Sequence, residues 1–162
     1  MTKFFEPLRK LLAAISSLNV DEIALDITKQ RSFQQLVIRL NTEGEATSQL
    51  YELNEDSKGR KLSDIGGDYS PFTIEAAKTK GQPKKGVSDI DLKDTGAFYL
   101  SFRVEPYLGG FVITADPVKD EDNLFTDWGI DIVGLNEQNL QIVIDFYRNA
   151  IQQKVNERIK AY

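Results

Sequence analysis

The run Asp94-Thr95-Gly96-Ala97-Phe98-Tyr99-Leu100-Ser101-Phe102-Arg103-Val104, continued by Glu105-Pro106-Tyr107-Leu108-Gly109-Gly110 and Phe111-Val112-Ile113-Thr114-Ala115, decides the fold class. Alternation from Ala97 onward puts Phe98, Leu100, Phe102 and Val104 on one face of a strand, and 110–115 is rich in β-branched residues. With Pro106 and Gly109-Gly110 between them, the two runs predict an antiparallel β-hairpin belonging to a small sheet. Asp94, Thr95 and Gly96 read as the turn that starts it. Asp or Thr accepts from exposed backbone donors there, and Gly96 takes a positive φ.

Outward from the hairpin, the pattern is helical at both ends. Phe4, Phe5, Leu8, Leu11, Leu12, Ile15 and Leu18 predict a helix over 3–18. Asn19 or Asp21 caps a second helix carrying Ile23, Leu25 and Ile27, and Ser32 caps a third carrying Phe33, Leu36, Val37 and Leu40. The third helix is expected to run on through 41–44, because Ala46, Leu50, Tyr51 and Leu53 again fit a helical face. From Asn136, Leu140, Val143, Ile144, Tyr147, Ile151, Val155 and Ile159 predict a long amphipathic C-terminal helix. The chain, 1–162, is therefore expected to form a single α+β domain.

The stretch 54–94 has no clear period and is punctuated by Gly59, Gly66, Gly67, Pro71, Gly81, Pro83 and Gly86. It reads as a long irregular loop lying outside the core, with a short helix at its middle capped by Ser70 and opened by Pro71. A loop of that length in a compact domain points to function. The residues expected to touch a partner are Tyr69, Pro71, Phe72, Lys78, Lys80, Gln82, Lys84 and Lys85.

Composition narrows the chemistry. The 162 residues contain no cysteine and no histidine, which removes thiol nucleophiles, disulfides, imidazole bases and thiolate or imidazole metal sites. The net charge of −5 has the wrong sign for a dedicated nucleic-acid or anionic-membrane binder. The N-terminus lacks the pattern of a signal peptide, and no apolar run reaches the ~20 residues that span a bilayer.

The remaining motifs fall short of known chemistry. In Gly81-Gln82-Pro83-Lys84-Lys85-Gly86-Val87-Ser88, Val87 stands where a phosphate-binding loop needs lysine. The acidic run Asp116, Asp120, Glu121, Asp122, Asn123 fails calcium-loop spacing at Leu124 and Phe125. No pair of carboxylates has the context of a glycosidase. The aromatics Phe98, Tyr99, Phe102, Tyr107 and Phe111 read as core before they read as a base-stacking platform. No catalytic, cofactor-binding or metal-binding residue is expected.

Five blocks in order, Gln49–Glu52, Asp56–Leu62, Asp68–Thr73, Lys78–Pro83 and Leu92–Phe102, resemble small virion proteins of tailed phages, especially those of Bacteroides and related crAss-like phages. The Asp94-Thr95-Gly96 element with Ser101 after it is more distantly similar to siphophage neck or tail-completion proteins and to virion-morphogenesis proteins of Mu-like phages. Leu53-Asn54-Glu55 stand where that pattern has a glycine. The resemblance implies an α+β subunit of a homo-oligomeric ring in the neck or tail, assembled in the bacterial host cytoplasm. It would join the portal or connector to other tail proteins, without catalytic residues. The alternatives are a small carboxylate-dependent hydrolase and a nucleic-acid-associated protein that uses the basic loop. In a ring, the basic block (Lys78, Lys80, Lys84, Lys85) is expected to face the acidic block (Asp116, Asp120, Glu121, Asp122) of the next subunit, or to line a lumen through which DNA passes. Charge reversal at Lys84 and Lys85 would then weaken assembly.

Overall fold

The computed structural model describes residues 5–119 and 122–160. Helices α1 (Phe5–Ser16), α2 (Val20–Lys29) and α3 (Arg31–Asn41) come first. Asn19 caps α2 as expected: its Oδ1 accepts from the backbone N–H of Asp21 at 3.1 Å and of Glu22 at 3.3 Å. Ser32 does not cap α3. The chain turns from α2 into α3 through the single extended residue Gln30, which leaves Ser32 inside the first turn. Gln34 Nε2 ties the corner by donating to the Thr28 carbonyl at 3.1 Å.

Nor does α3 continue past Asn41. Thr42 leaves the helical region (φ −100°, ψ −88°), and five residues, Gln49–Leu53, later close a π turn. Asn54 ends that turn in the left-handed region at φ 53°, a conformation its short polar side chain tolerates.

Two short helices follow, α4 (Leu62–Gly66) and α5 (Pro71–Thr79). At the start of α5 the Ser70 hydroxyl accepts from Thr73 N–H at 3.1 Å with Pro71 in the first turn, as the sequence predicts. The surrounding stretch, however, does not lie outside the core. Leu62 (0 % exposed) and Ile90 (1 %) join Leu50, Phe98, Tyr99, Phe102, Leu124 and Ile132 in one cluster. Buried polar side chains order the rest. Asp56, fully buried, accepts from the backbone N–H groups of Lys58 and Arg60 at 2.9 Å each and from Arg60 Nε at 2.7 Å. A carboxylate that satisfies several donors organises a loop without apolar periodicity.

The strand expected from Ala97 starts later. Ala97–Ser101 is one helical turn, α6, and only then come β1 (Arg103–Tyr107) and β2 (Gly110–Thr114). Phe98, Tyr99 and Phe102 are all buried while Leu100 is 76 % exposed, a set that suits helical steps and not alternation. Pro106 sits inside β1 opposite Phe111, and the turn is Leu108-Gly109. In a two-stranded sheet both strands are edges, so the missing N–H is tolerated. Gly96 adopts φ +84°, and Thr95 Oγ1 accepts from Ala97 N–H at 3.3 Å, so the expected turn exists but opens α6.

Beyond β2, β3 (Val118–Lys119) pairs antiparallel with β4 (Asp122–Asn123); Asp120 and Glu121 lie outside the described residues. Then come α7 (Leu124–Trp128), a 3-10 turn (Ile130–Ile132) and the long α8 (Glu137–Lys160). The fold is α+β. A second cluster, Ile27, Phe33, Val37, Leu40, Val104 and Val143, packs α2 and α3 on the hairpin and α8, and Ile38 and Ile113 touch both clusters. Among the described residues no helix is long and apolar enough to cross a membrane.

Candidate functional site

Helix α5 and helix α7 form two walls of a cleft of about 250 Å³. The first wall is Phe72, Thr73, Ala76 and Ala77; the second is Leu124 and Trp128. Tyr69, Lys84, Leu92 and Lys93 lie between them, and Lys80, Asp94 and Lys119 also line it.

Lys84 and Asp91 anchor the site. Both side chains are 7 % exposed and their charged atoms are 2.8 Å apart. Asp91 Oδ1 also accepts from the Tyr69 hydroxyl at 2.9 Å and from Lys93 N–H at 2.8 Å. Lys84 Nζ donates to the Lys93 carbonyl, and the Tyr99 hydroxyl donates to the Asp91 carbonyl. This mesh holds Leu92 at φ 54°, an uncommon conformation for leucine. Burial, reinforced by the Asp91 charge, pushes the Tyr69 and Tyr99 phenols above their ordinary pKa, so both are neutral donors at neutral pH.

At Asp94 the arrangement is different. Its carboxylate lies 2.9 Å from Lys119 Nζ and 3.1 Å from Lys80 Nζ. The hydrogen bond from Lys119, followed by that from Lys80, holds the Asp94 carboxyl below the usual range against its partial burial. Two ammonium groups on one carboxylate leave this group with net positive charge.

Of the residues expected to act, the structure brings Tyr69, Phe72, Lys80, Lys84 and Asp94 to one cleft. Pro71, Lys78 and Gln82 are exposed beside it, outside its lining. Lys85 points elsewhere, pairing with Glu52 at 2.7 Å and lying 4.0 Å over the Tyr51 ring. Thr95 and Gly96 line a neighbouring depression that shares Leu92, Asp94 and Lys119 with the cleft. Asp116 is engaged in its own turn, its Oδ1 accepting from Val118 N–H at 3.0 Å, and Asp122 is exposed in β4.

The basic part of the loop expected to lie outside the core is thus tied to the same chain: Lys80, Lys84 and Lys85 are paired with Asp94, Asp91 and Glu52. Reversing Lys84 would strand a buried Asp91, so it is no clean probe of assembly. Sequence reasoning missed Lys119, Leu124 and Trp128. Lys119 is the one basic residue in 116–127, and Leu124, Phe125 and Trp128 follow helical spacing. Among the described residues no group of three acidic side chains could hold a metal ion. Comparison with known proteins finds no matching family model, no matching curated protein and no matching solved structure.

Proposed function

We propose that the chain is a structural subunit of a tailed-phage particle, a neck, ring or tail-completion adaptor that joins the portal or connector to the tail. The observation that carries this reading is the convergence of Tyr69 and Phe72, Lys80, and Asp94, from three separate blocks that resemble phage virion proteins, on one cleft beside Lys84. Its rim is suited to protein contact: Phe72 is 82 % exposed, and Val118, beside Lys119, is 62 % exposed. Asp94 is the one carboxylate lining the cleft among the described residues, whereas acid–base glycoside hydrolysis needs a pair. Pairing of Lys80, Lys84 and Lys85 within the chain favours protein contact over a DNA-lining role.

The test is the mass of the purified chain by light scattering and its shape in negative stain, alone and with portal and tail partners. A ring-sized species is expected. A chain that stays monomeric with and without those partners would overturn the reading.

A further inference from the structure

We infer that the cleft between α5 and α7 receives the tip of the β1–β2 hairpin from a second copy of the chain. This rests on the ring reading above and supplies its contact. The tip is a two-residue turn, Leu108-Gly109, with Tyr107 53 % and Leu108 65 % exposed. It stands at the far end of five-residue strands, about 13–17 Å from the hairpin base at the usual strand rise, and none of its residues lines the chain's own cleft.

Size and charge both select such a knob. Ligand pockets usually enclose about 300–1,000 Å³. A cleft of about 250 Å³ is small for a cofactor and suits one or two inserted side chains. Of the lysines lining it, Lys84 and Lys93 are neutralised by Asp91 and Glu43, which leaves the Lys80–Asp94–Lys119 group positive. Each of its two lysines carries three N–H donors and shares Asp94 as its ion-pair partner, so donor capacity remains. The matching charge stands behind the tip, midway along β1. Glu105 is exposed and lies two residues before Tyr107, hence on the same face of β1. Its Oε1 accepts from the Thr114 hydroxyl at 3.2 Å, a single neutral bond that leaves its charge without an ion-pair partner among the described residues. Arg103 is at the base instead, where its guanidinium donates to the Leu100 and Phe102 carbonyls at 2.7 Å.

Tip and cleft are different surfaces of one chain, so their contact is head-to-tail and propagates into a closed ring or an open filament. The cysteine-free sequence makes the contact directly measurable. Full-length Leu108→Cys and Ala76→Cys chains, mixed under mild oxidant, are expected to form an intermolecular disulfide mapped by mass spectrometry. Leu108→Cys mixed with Gln152→Cys, on the exposed side of α8, is expected to form none. Leu108→Lys and Glu105→Lys, both on exposed positions, set a cation against the positive cleft and are expected to weaken self-association about tenfold or more while leaving the melting temperature of the dilute, dissociated chain unchanged. Assembly that persists undiminished in Leu108→Lys, without the Leu108→Cys/Ala76→Cys bond, overturns this inference and leaves the ring reading intact. Weakened assembly without that bond puts the tip against another surface and also overturns it. Chains that do not associate at the highest attainable concentration overturn it too, and the ring reading falls with it only if they also stay monomeric beside portal and tail partners.

Discussion

Gly66 and Trp128 meet where there is no room for a methyl group: a Cβ built on Gly66 would lie 2.5 Å from both Cε2 and Nε1 of the indole. The close approach seats α7 against the end of α4. Gly66→Ala is expected to destabilise the fold by about 1–3 kcal/mol through overpacking. Because Trp128 is the only tryptophan, its emission should shift in the same variant. Chemical denaturation followed by fluorescence checks both, and an unchanged midpoint would contradict the packing.

The Lys84–Asp91 pair should respond unevenly to substitution. Lys84→Met leaves a buried carboxylate still held by Tyr69 and Lys93 N–H but without its counter-charge. A loss of about 3 kcal/mol is expected. Adding Asp91→Asn removes the stranded charge, so the double variant should unfold at a higher denaturant concentration than Lys84→Met alone.

Alkaline titration should set three of the tyrosines apart. The phenols of Tyr69, Tyr99 and Tyr147 are all raised from 10.0, burial being the largest cause in each. A raised phenol adds stability that is intact below its unfolded value and is lost as pH climbs through the folded one. Tyrosinate absorbance is therefore expected to rise in two stages, the second coinciding with loss of helical circular dichroism. Tyr69→Phe should reduce the second stage.

At the acid end Asp94 works in the opposite sense. Its folded value is depressed below 3.8, chiefly by the hydrogen bond from Lys119, so its contribution is intact above 3.8 and lost as pH falls through the folded value. Asp94→Asn should flatten the acid limb of a stability–pH curve without moving the alkaline one. Thermal melts across pH 2 to 6 test this.

Asn139 offers a sharper stability test. Fully buried on α8, its Nδ2 donates to the carbonyls of Leu40 at 3.0 Å and Thr47 at 2.8 Å. Asn139→Leu leaves two acceptors unpaired in the interior, and a loss of about 2–4 kcal/mol is expected. Denaturant melts should show it at full size, since no exposed surface is involved.

Apolar spacing made α1, α2, α8 and the existence of the hairpin readable, and the capping residues Ser70 and Pro71 made the start of α5 so. The helical spacing of Ala46, Leu50, Tyr51 and Leu53, however, misled past Asn41, where the chain leaves the helix at Thr42. Ala97–Ser101 misled because alternation and a single helical turn share Phe98 and Phe102, and only the burial of Tyr99 with exposure of Leu100 separates them. The stretch 54–94 misled for another reason. Its order comes from Asn54, Asp56 and Asp91, buried polar residues whose partners are brought by the fold and not by spacing. The cleft was half legible for the same reason. Tyr69, Phe72, Lys80, Lys84 and Asp94 stood in one conspicuous segment, whereas Lys119 and Trp128 arrive from chain whose only local marks are a lone lysine among acids and a short helical spacing, neither of which says where it packs.

The end of α3 is stitched to chain made much later. Asn41 Oδ1 accepts from Gly134 N–H, Gln49 Oε1 from Asn136 N–H, and Leu40 and Thr47 receive Asn139. These bonds span 87 to 99 residues of sequence. While the protein is being synthesised, its first helices therefore wait, with carbonyls open to water, until residues near 139 have left the ribosome. Closure of so distant a seam is slow by its topology. The seam between the early helices and the start of α8 is accordingly expected to close after the helices it joins have formed.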